Sequence, residues 1–427
     1  PHKNKTQEIF MSDTKLAPVN MHLHTHYSFN AMDYTPTQLV QEARRSGIYS
    51  IAICDFDVLD ALEEFYAASD AAPIRAAAGM ETRVYFSEYG DVPINSPGEP
   101  GVYYFMGMGF AAVPPKDSPA GKTLQELRDR SRQRNIDLIA RISKAYPELS
   151  LDYEEDVLPY TPSGNATERH IVKAYISKVR EAQKEHEIWG KVLGLSGDEL
   201  ESTLGDELAL QKAIRKALMK SGGAGYVKPD KNTFPPLEQV IEMILNAGAI
   251  PMATWLDGAN EGEKNIREQL ECLKAKGVAA LNIIPDRNWN IKDPDQKAIK
   301  VANLNEIVEV ADSMHLPINV GTEMNSPGQP FVDNFEAPAM RPHWPVFFKG
   351  AQVMVGQARL ARFAGYSYCG EAAQADYADP AKRNEFFARV GALPCPNAET
   401  LQALKDIDEA KALACIRDSV RADDWKC

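Results

Sequence analysis

The chain has 427 residues, 44% of them hydrophobic, enough for one barrel-sized domain with additions. Its net charge of −13 argues against nucleic acid and anionic membrane as main partners. A small anionic substrate stays open, because a metal site reverses the local field.

The elements alternate from the start. Residues 1–16 read as a polar, mobile extension, with Met11 an alternative start. Val19-Asn20-Met21-His22-Leu23-His24-Thr25-His26 follows as a strand end. Alternate residues of a strand share a face, so His22 and His24 project together; a shifted register would substitute His26. Thr35 and Pro36 predict a helix start, as N-cap and first helical residue. Tyr49 to Ile53 reads as a strand ending in Cys54-Asp55-Phe56-Asp57, and Ala76 to Glu81 as another after a second helix. Polar residues at the C-terminal ends of such strands predict a parallel α/β sheet or barrel with its site there.

Residues 88–101 read as a loop and Tyr103 to Phe110 as a strand. From Lys122, with Thr123 and Glu126 as a capping box, the pattern turns helical, and 115–235 reads largely as a helical insertion. Helices are then expected at 237–246, 266–276 and 299–313, with strands at 249–254, 279–284 and 317–320. The last strand leads into Gly321-Thr322-Glu323-Met324-Asn325. The segment from about 338 reads as helical, most clearly Leu401 to Val420, and suits a lid or a subunit interface.

Six cysteines at 54, 272, 369, 395, 415 and 427 form no CxxC pair, which predicts reduced, buried thiols in a cytoplasmic protein. No apolar run reaches membrane-span length and no signal peptide is visible, an excised upstream one apart.

Strand ends thus offer His22, His24, Asp55, Glu81 and Glu323, and His170 stands near a predicted helix start. Imidazoles and carboxylates together suit a divalent ion such as Zn, Mn or Fe. Each residue has a plainer alternative. His170 suits a helix cap, Glu323 a pairing with a nearby Arg, Glu81 a pairing with Arg83, and Asp55 a strand-end turn or the orientation of a histidine. Arg83 and Arg287 are candidate anion clamps, since guanidinium matches carboxylate and phosphate in bidentate fashion. Tyr104, Trp255 and Trp289 are candidate pocket walls, and His26 and Asn325 candidate substrate contacts.

In this order, His22-Leu23-His24-Thr25-His26-Tyr27-Ser28, Gly79-Met80-Glu81, Arg169 with His170 and Ala174, and Gly225-Tyr226-Val227 resemble motifs of the polymerase and histidinol phosphatase (PHP) superfamily of metal-dependent phosphoesterases. The resemblance spans roughly 17–330 and implies a distorted (β/α)7 TIM-like barrel over 17–335, with a helical extension over 336–427. It also implies up to three metals at the C-terminal strand ends. Several family ligands are changed: Phe56 and Trp255 stand where histidines are usual, Asn30 and Asn325 where other ligands are, and Glu323 replaces an aspartate. By resemblance the site is reduced to one or two ions held by His22, His24, Glu81 and Glu323, with His170 as a further ligand. Asp55 or His170 would orient or carry a proton.

The expected function is hydrolysis of a small soluble substrate, by default a phosphoester. Amide hydrolysis, or elimination and hydration of a sugar-like or hydroxy-acid substrate at one metal, is the first alternative. A catalytically inactive binding barrel is the second. A homo-oligomer is open.

Overall fold

The protein is described by a computed structural model covering residues 16–427. All but the last residue of the extension expected at 1–16, Met11 included, lies outside the described residues.

Seven strands form one sheet in chain order: β1 (Val19–Leu23), β2 (Ser50–Phe56), β3 (Arg75–Tyr85), β4 (Val102–Met108), β5 (Ile250–Trp255), β6 (Ala280–Ile283) and β7 (Ile318–Val320). β1, β5, β6 and β7 are buried at every position, as strands covered on both faces must be. The sheet curls until its edges meet. The Glu323 N–H donates to the His22 carbonyl at 2.8 Å, and the His24 N–H to the Glu323 carbonyl at 3.0 Å. The result is a distorted α/β barrel, and its closing seam joins three of the residues expected to bind metal, His22, His24 and Glu323.

One feature departs from a parallel reading. β4 runs antiparallel to both β3 and β5. The loop after β3 returns directly, with no crossover helix between 85 and 102, and a connection that short reverses strand direction.

The first helix, Pro36–Arg45, starts as its sequence dictates. Thr35 Oγ1 accepts from the Gln38 N–H, and Gln38 returns the bond to the Thr35 N–H at 3.0 Å. Between β4 and β5 the chain is helical, over Pro119–Ala145, Glu168–Glu181, Glu185–Leu193, Gly197–Gly205 and Glu207–Met219. These helices bury their own apolar cluster, including Ile142, Tyr175, Trp189 and Leu210. Their start corrects the expected capping box. Ser118 is the N-cap, accepting from the Gly121 N–H at 3.0 Å, with Pro119 next, so Thr123 falls inside the helix.

The C-terminal segment belongs to the barrel's own core rather than to a lid. Helix Trp344–Ala364 buries Phe347, Ala351, Val353, Met354 and Leu360 in the cluster that also holds the strands. At about 1.5–3 kcal/mol for each large side chain, this face is a major part of the fold's stability. Gly350 permits the contact, since a Cβ there would lie 1.9 Å from the Ile318 carbonyl of β7. The helix expected over 401–420 is two helices, Ala398–Asp406 and Glu409–Ala422. Asp408 divides them by capping the second, accepting from the Lys411 N–H at 2.9 Å.

The cysteines require a further correction. Cys415 and Cys427 are disulfide-bonded, with Cα atoms 5.6 Å apart. The tail folds back to reach this pairing: Trp425 Nε1–H donates to the Pro394 carbonyl and the Lys426 N–H to Ser419 Oγ, both at 2.9 Å. Cys54, Cys272, Cys369 and Cys395 are free thiols, and only Cys54 is fully buried. Among the described residues no helix is long and apolar enough to cross a membrane.

Candidate metal centre

In β1 the apolar Val19, Met21 and Leu23 alternate with Asn20 and His22, and His24 continues the polar row just past the strand end. Glu81 enters from β3. His22 and His24 Nε2 lie 3.5 and 3.4 Å from Glu81 Oε2, and all three side chains are buried. Their ligand atoms fall within 4.8 Å of one another.

The protonation of both rings follows from their other nitrogens. Asn319 Nδ2 donates at 2.8 Å both to the Met21 carbonyl and to Asn282 Oδ1. Asn282 therefore faces His22 with its oxygen, and His22 Nδ1, 3.3 Å away, must carry the hydrogen. Ser28 Oγ gives its hydrogen to Asp55 Oδ1 at 2.6 Å, so it accepts from His24 Nδ1 at 3.0 Å. Each neutral ring then has a bare lone pair on Nε2. Those two lone pairs and a carboxylate oxygen converge with no hydrogen among them, and all three atoms are buried without a hydrogen-bond partner. Such a convergence is unfavourable until a cation enters it. This set of donors fits a divalent metal.

The same geometry shifts the proton equilibria. Burial favours the neutral His22 ring, but Glu81 and then Glu323 outweigh it and raise its pKa above the usual value. Burial pushes the Glu81 carboxyl up, and the two imidazoles overcome this and hold it well below the usual carboxylate range.

Asp55 ends β2 beneath this site. It accepts the Thr25 N–H at 2.7 Å, Thr25 Oγ1 at 2.6 Å and Ser28 Oγ at 2.6 Å. The 25–28 turn is thereby fixed and, through Ser28, the His24 tautomer. Phe56 stacks on His24 with centroids 4.7 Å apart and planes at 17°.

Glu81 opens onto a cavity of about 1170 Å³. Arg83, Tyr104, Trp255, Arg287, Glu323 and Asn325, all expected at the site, line it. Glu323, whose backbone makes the closing seam, has φ of +63° and pairs with Arg287, and Asn325 Nδ2 lies 3.5 Å from its Oε2. Left-handed backbone in a glutamate costs about 1 kcal/mol or more and persists where the surroundings impose it.

Residues 20–183 match the model of the PHP domain. This stretch is similar to the PHP domain. No curated protein matches it in sequence. Its structure is similar to that of an amidohydrolase from Chromobacterium violaceum solved with bound sulfate and no metal. That likeness has TM-score 0.51 and 17% identity, and covers 78% of this chain and 97% of the other. A second similar structure is that of a protein provisionally named a metal-dependent phosphoesterase, from Bifidobacterium adolescentis. Here the TM-score is 0.48 and the identity 18%, covering 77% of this chain and 96% of that one.

Three expected site residues lie away from the trio. His170 caps its helix: the Thr167 N–H donates to its Nδ1 at 3.0 Å. The neutral ring then carries its hydrogen on Nε2 and has no lone pair left for a metal. His26 leaves the row in the turn after β1, edge-on to Tyr27 at 4.7 Å, and is not in the cavity wall. Trp289 also lies outside that wall and packs on the main core, with Lys297 over its ring at 5.7 Å.

Burial, then the charges of Lys173 and His26, lower the His170 pKa to about 4. A histidine depressed in the folded state destabilises the fold as pH falls from about 6.5 towards 4, because the unfolded chain takes up the proton first. Glutamine at this helix position keeps a capping acceptor without titrating. Urea unfolding of His170→Gln is expected to show a smaller stability loss between pH 7 and pH 5 than the parent, with metal content unchanged. Loss of metal would restore His170 as a ligand.

The sequence reading missed two groups. Ser28, Asn282 and Asn319 set the tautomers; Ser28 closes the quoted His22–Ser28 motif but was given no role, and the two asparagines, as single polar residues, carried no pattern. The helices between β4 and β5 send Arg134, Arg169, Arg215 and Lys220 into the cavity wall. The signal available was the charge-rich composition of that segment. Burial, with Arg83 nearby, holds Arg134 down to about 10.

Proposed function

We propose that this protein is a metal-dependent hydrolase that cleaves a phosphoester bond in a small anionic substrate. The observation that carries the reading is the convergence of three hydrogen-free acceptor atoms from His22, His24 and Glu81 at the floor of a cavity walled by arginines. The similarity to the PHP domain supports phosphoester chemistry. His22, His24 and Glu81 would hold the ion, with Glu323 as the fourth ligand. A divalent cation bound there supplies Lewis acidity, polarising the scissile group and lowering the pKa of water.

The chain's own residues do the rest. Arg287, with one edge on Glu323, turns its remaining donors to the anionic group and fixes its orientation. Tyr104 and Trp255 wall the cavity and limit water around the reacting bond. Asp55, engaged by three hydrogen bonds, positions His24 and carries no proton.

A second reading, amide hydrolysis at one metal, is favoured by a specific observation. His22, His24 and Glu81 form the sole metal-type cluster among the described residues, so a two-ion clamp on a phosphoryl group has no second cage. One screen separates the two: the Mn²⁺- or Zn²⁺-loaded protein against phosphomonoesters, phosphodiesters, N-acyl amino acids and lactones. Inorganic phosphate released from monoesters, or a monoester and an alcohol from diesters, lost in His24→Ala, supports the phosphoesterase. Turnover of amides or lactones alone replaces it with the second reading.

A further inference from the structure

Arg83 stands on β3 two residues beyond Glu81, on the same face of the strand and about 7 Å along it. Its partner across the antiparallel pair is Tyr104. The Arg83 guanidinium lies over the Phe234 ring at 4.5 Å, and among the described residues it has no hydrogen bond or ion pair. Arg134, from helix Pro119–Ala145, lies over the same ring at 4.7 Å. Its ion-pair contact is a long one, 3.8 Å to Asp57, whose carboxylate already accepts from Thr82 Oγ1. Both arginines line the cavity.

Two like charges gathered on one ring repel each other, and among the described residues the one ion pair that offsets them is the long contact of Arg134 with Asp57 at 3.8 Å. The carboxylate that might do so, Glu168, is taken by Arg215 at 2.7 Å and Lys220 at 2.8 Å. A guanidinium stacked by its face on an aromatic ring keeps its edge donors free, and those donors match an oxyanion in bidentate fashion. An acidic protein that holds Arg83 without an ion pair, beside an Arg134 held only by a long one, is built to receive an anion in this cavity.

We propose that Arg83 and Arg134, seated on Phe234, form a subsite for a second oxyanion group of the substrate, a phosphate or a carboxylate, distinct from the group cleaved at the trio. The site therefore takes a substrate with two anionic groups on neighbouring parts of one small molecule. The helices between β4 and β5 supply half of the subsite, which gives that segment a role in specificity.

The inference rests on the hydrolase reading for the word substrate, but its test does not need turnover. The full-length protein is titrated by calorimetry with inorganic phosphate and, separately, malonate, alongside Glu81→Ala, Arg83→Gln and Arg134→Gln. Binding that survives in Glu81→Ala and weakens about 10- to 100-fold in each arginine variant is the expected result, since a charge-assisted bond contributes about 1.5–3 kcal/mol. Tighter phosphate assigns a phosphate group, and tighter malonate a carboxylate. Chelator-treated parent protein replaces Glu81→Ala if that variant does not fold. No binding of either anion, or binding lost with the metal ligands and unchanged in Arg83→Gln and Arg134→Gln, overturns the subsite. Anion binding at the arginines in a protein that hydrolyses nothing overturns the hydrolase reading alone.

Discussion

Glu81→Gln is expected to lower hydrolysis by about three orders of magnitude or more while leaving the fold intact. Lewis-acid stabilisation amounts to several kcal/mol of the barrier, and each 1.36 kcal/mol is a factor of ten. The substitution keeps the side chain's volume and replaces a buried carboxylate oxygen by an amide. The amide N–H₂ then donates to the bare Nε2 atoms of His22 and His24, which no other group in the protein satisfies. Melting is therefore expected within about 1 kcal/mol of the metal-free parent, the size of a neutral hydrogen bond. Thermal denaturation beside steady-state rates checks both halves. A variant that unfolds would make Glu81 a structural carboxylate, and one that keeps its rate would remove the trio from the reaction.

The second large effect lies one layer out. Asp55→Ala removes the acceptor for the Thr25 N–H, Thr25 Oγ1 and Ser28 Oγ in a buried place. Each orphaned donor costs about 1–3 kcal/mol, so a stability loss of about 3 kcal/mol or more is expected. Ser28 is then free to turn its hydrogen towards His24 Nδ1, which shifts the ring to the tautomer with no lone pair at Nε2. Residues that orient metal-binding histidines alter metal affinity by about 10- to 100-fold. Asp55→Asn keeps one acceptor oxygen for the Thr25 N–H and Ser28, so it should recover most of both losses. Competition titration with a chromophoric chelator reads the affinity, and urea unfolding reads the stability. Equal metal affinity in Asp55→Ala and the parent would show that Asp55 merely ends a strand.

The readable part of this molecule was what local pattern encodes. His22 and His24 alternate on a strand, Thr35-Pro36 opens a helix, and apolar runs mark the strands. Those rules depend on neighbours in sequence, and an α/β sheet or barrel with its site at the strand ends followed from them. What stayed hidden depends on partners far along the chain. Which arginine would meet Glu323, and that Gly350 would let a C-terminal helix touch β7, are facts of packing between segments. His170 illustrates the opposite hazard. The sequence offered both a ligand and a helix-cap reading, and the third position in the helix gives the backbone of Thr167 first claim on Nδ1. β4 reversed direction because a loop without a helix cannot restore it, a consequence of chain length that residue types do not express.

The central claim is that His22, His24 and Glu81 are arranged for a cation. Elemental analysis of protein purified without chelator tests it most directly, with Glu81→Gln prepared in parallel. About one transition metal per chain, lost in Glu81→Gln, is the predicted result. No metal in the parent even after Zn²⁺ or Mn²⁺ is offered, or an undiminished content in Glu81→Gln, would contradict it.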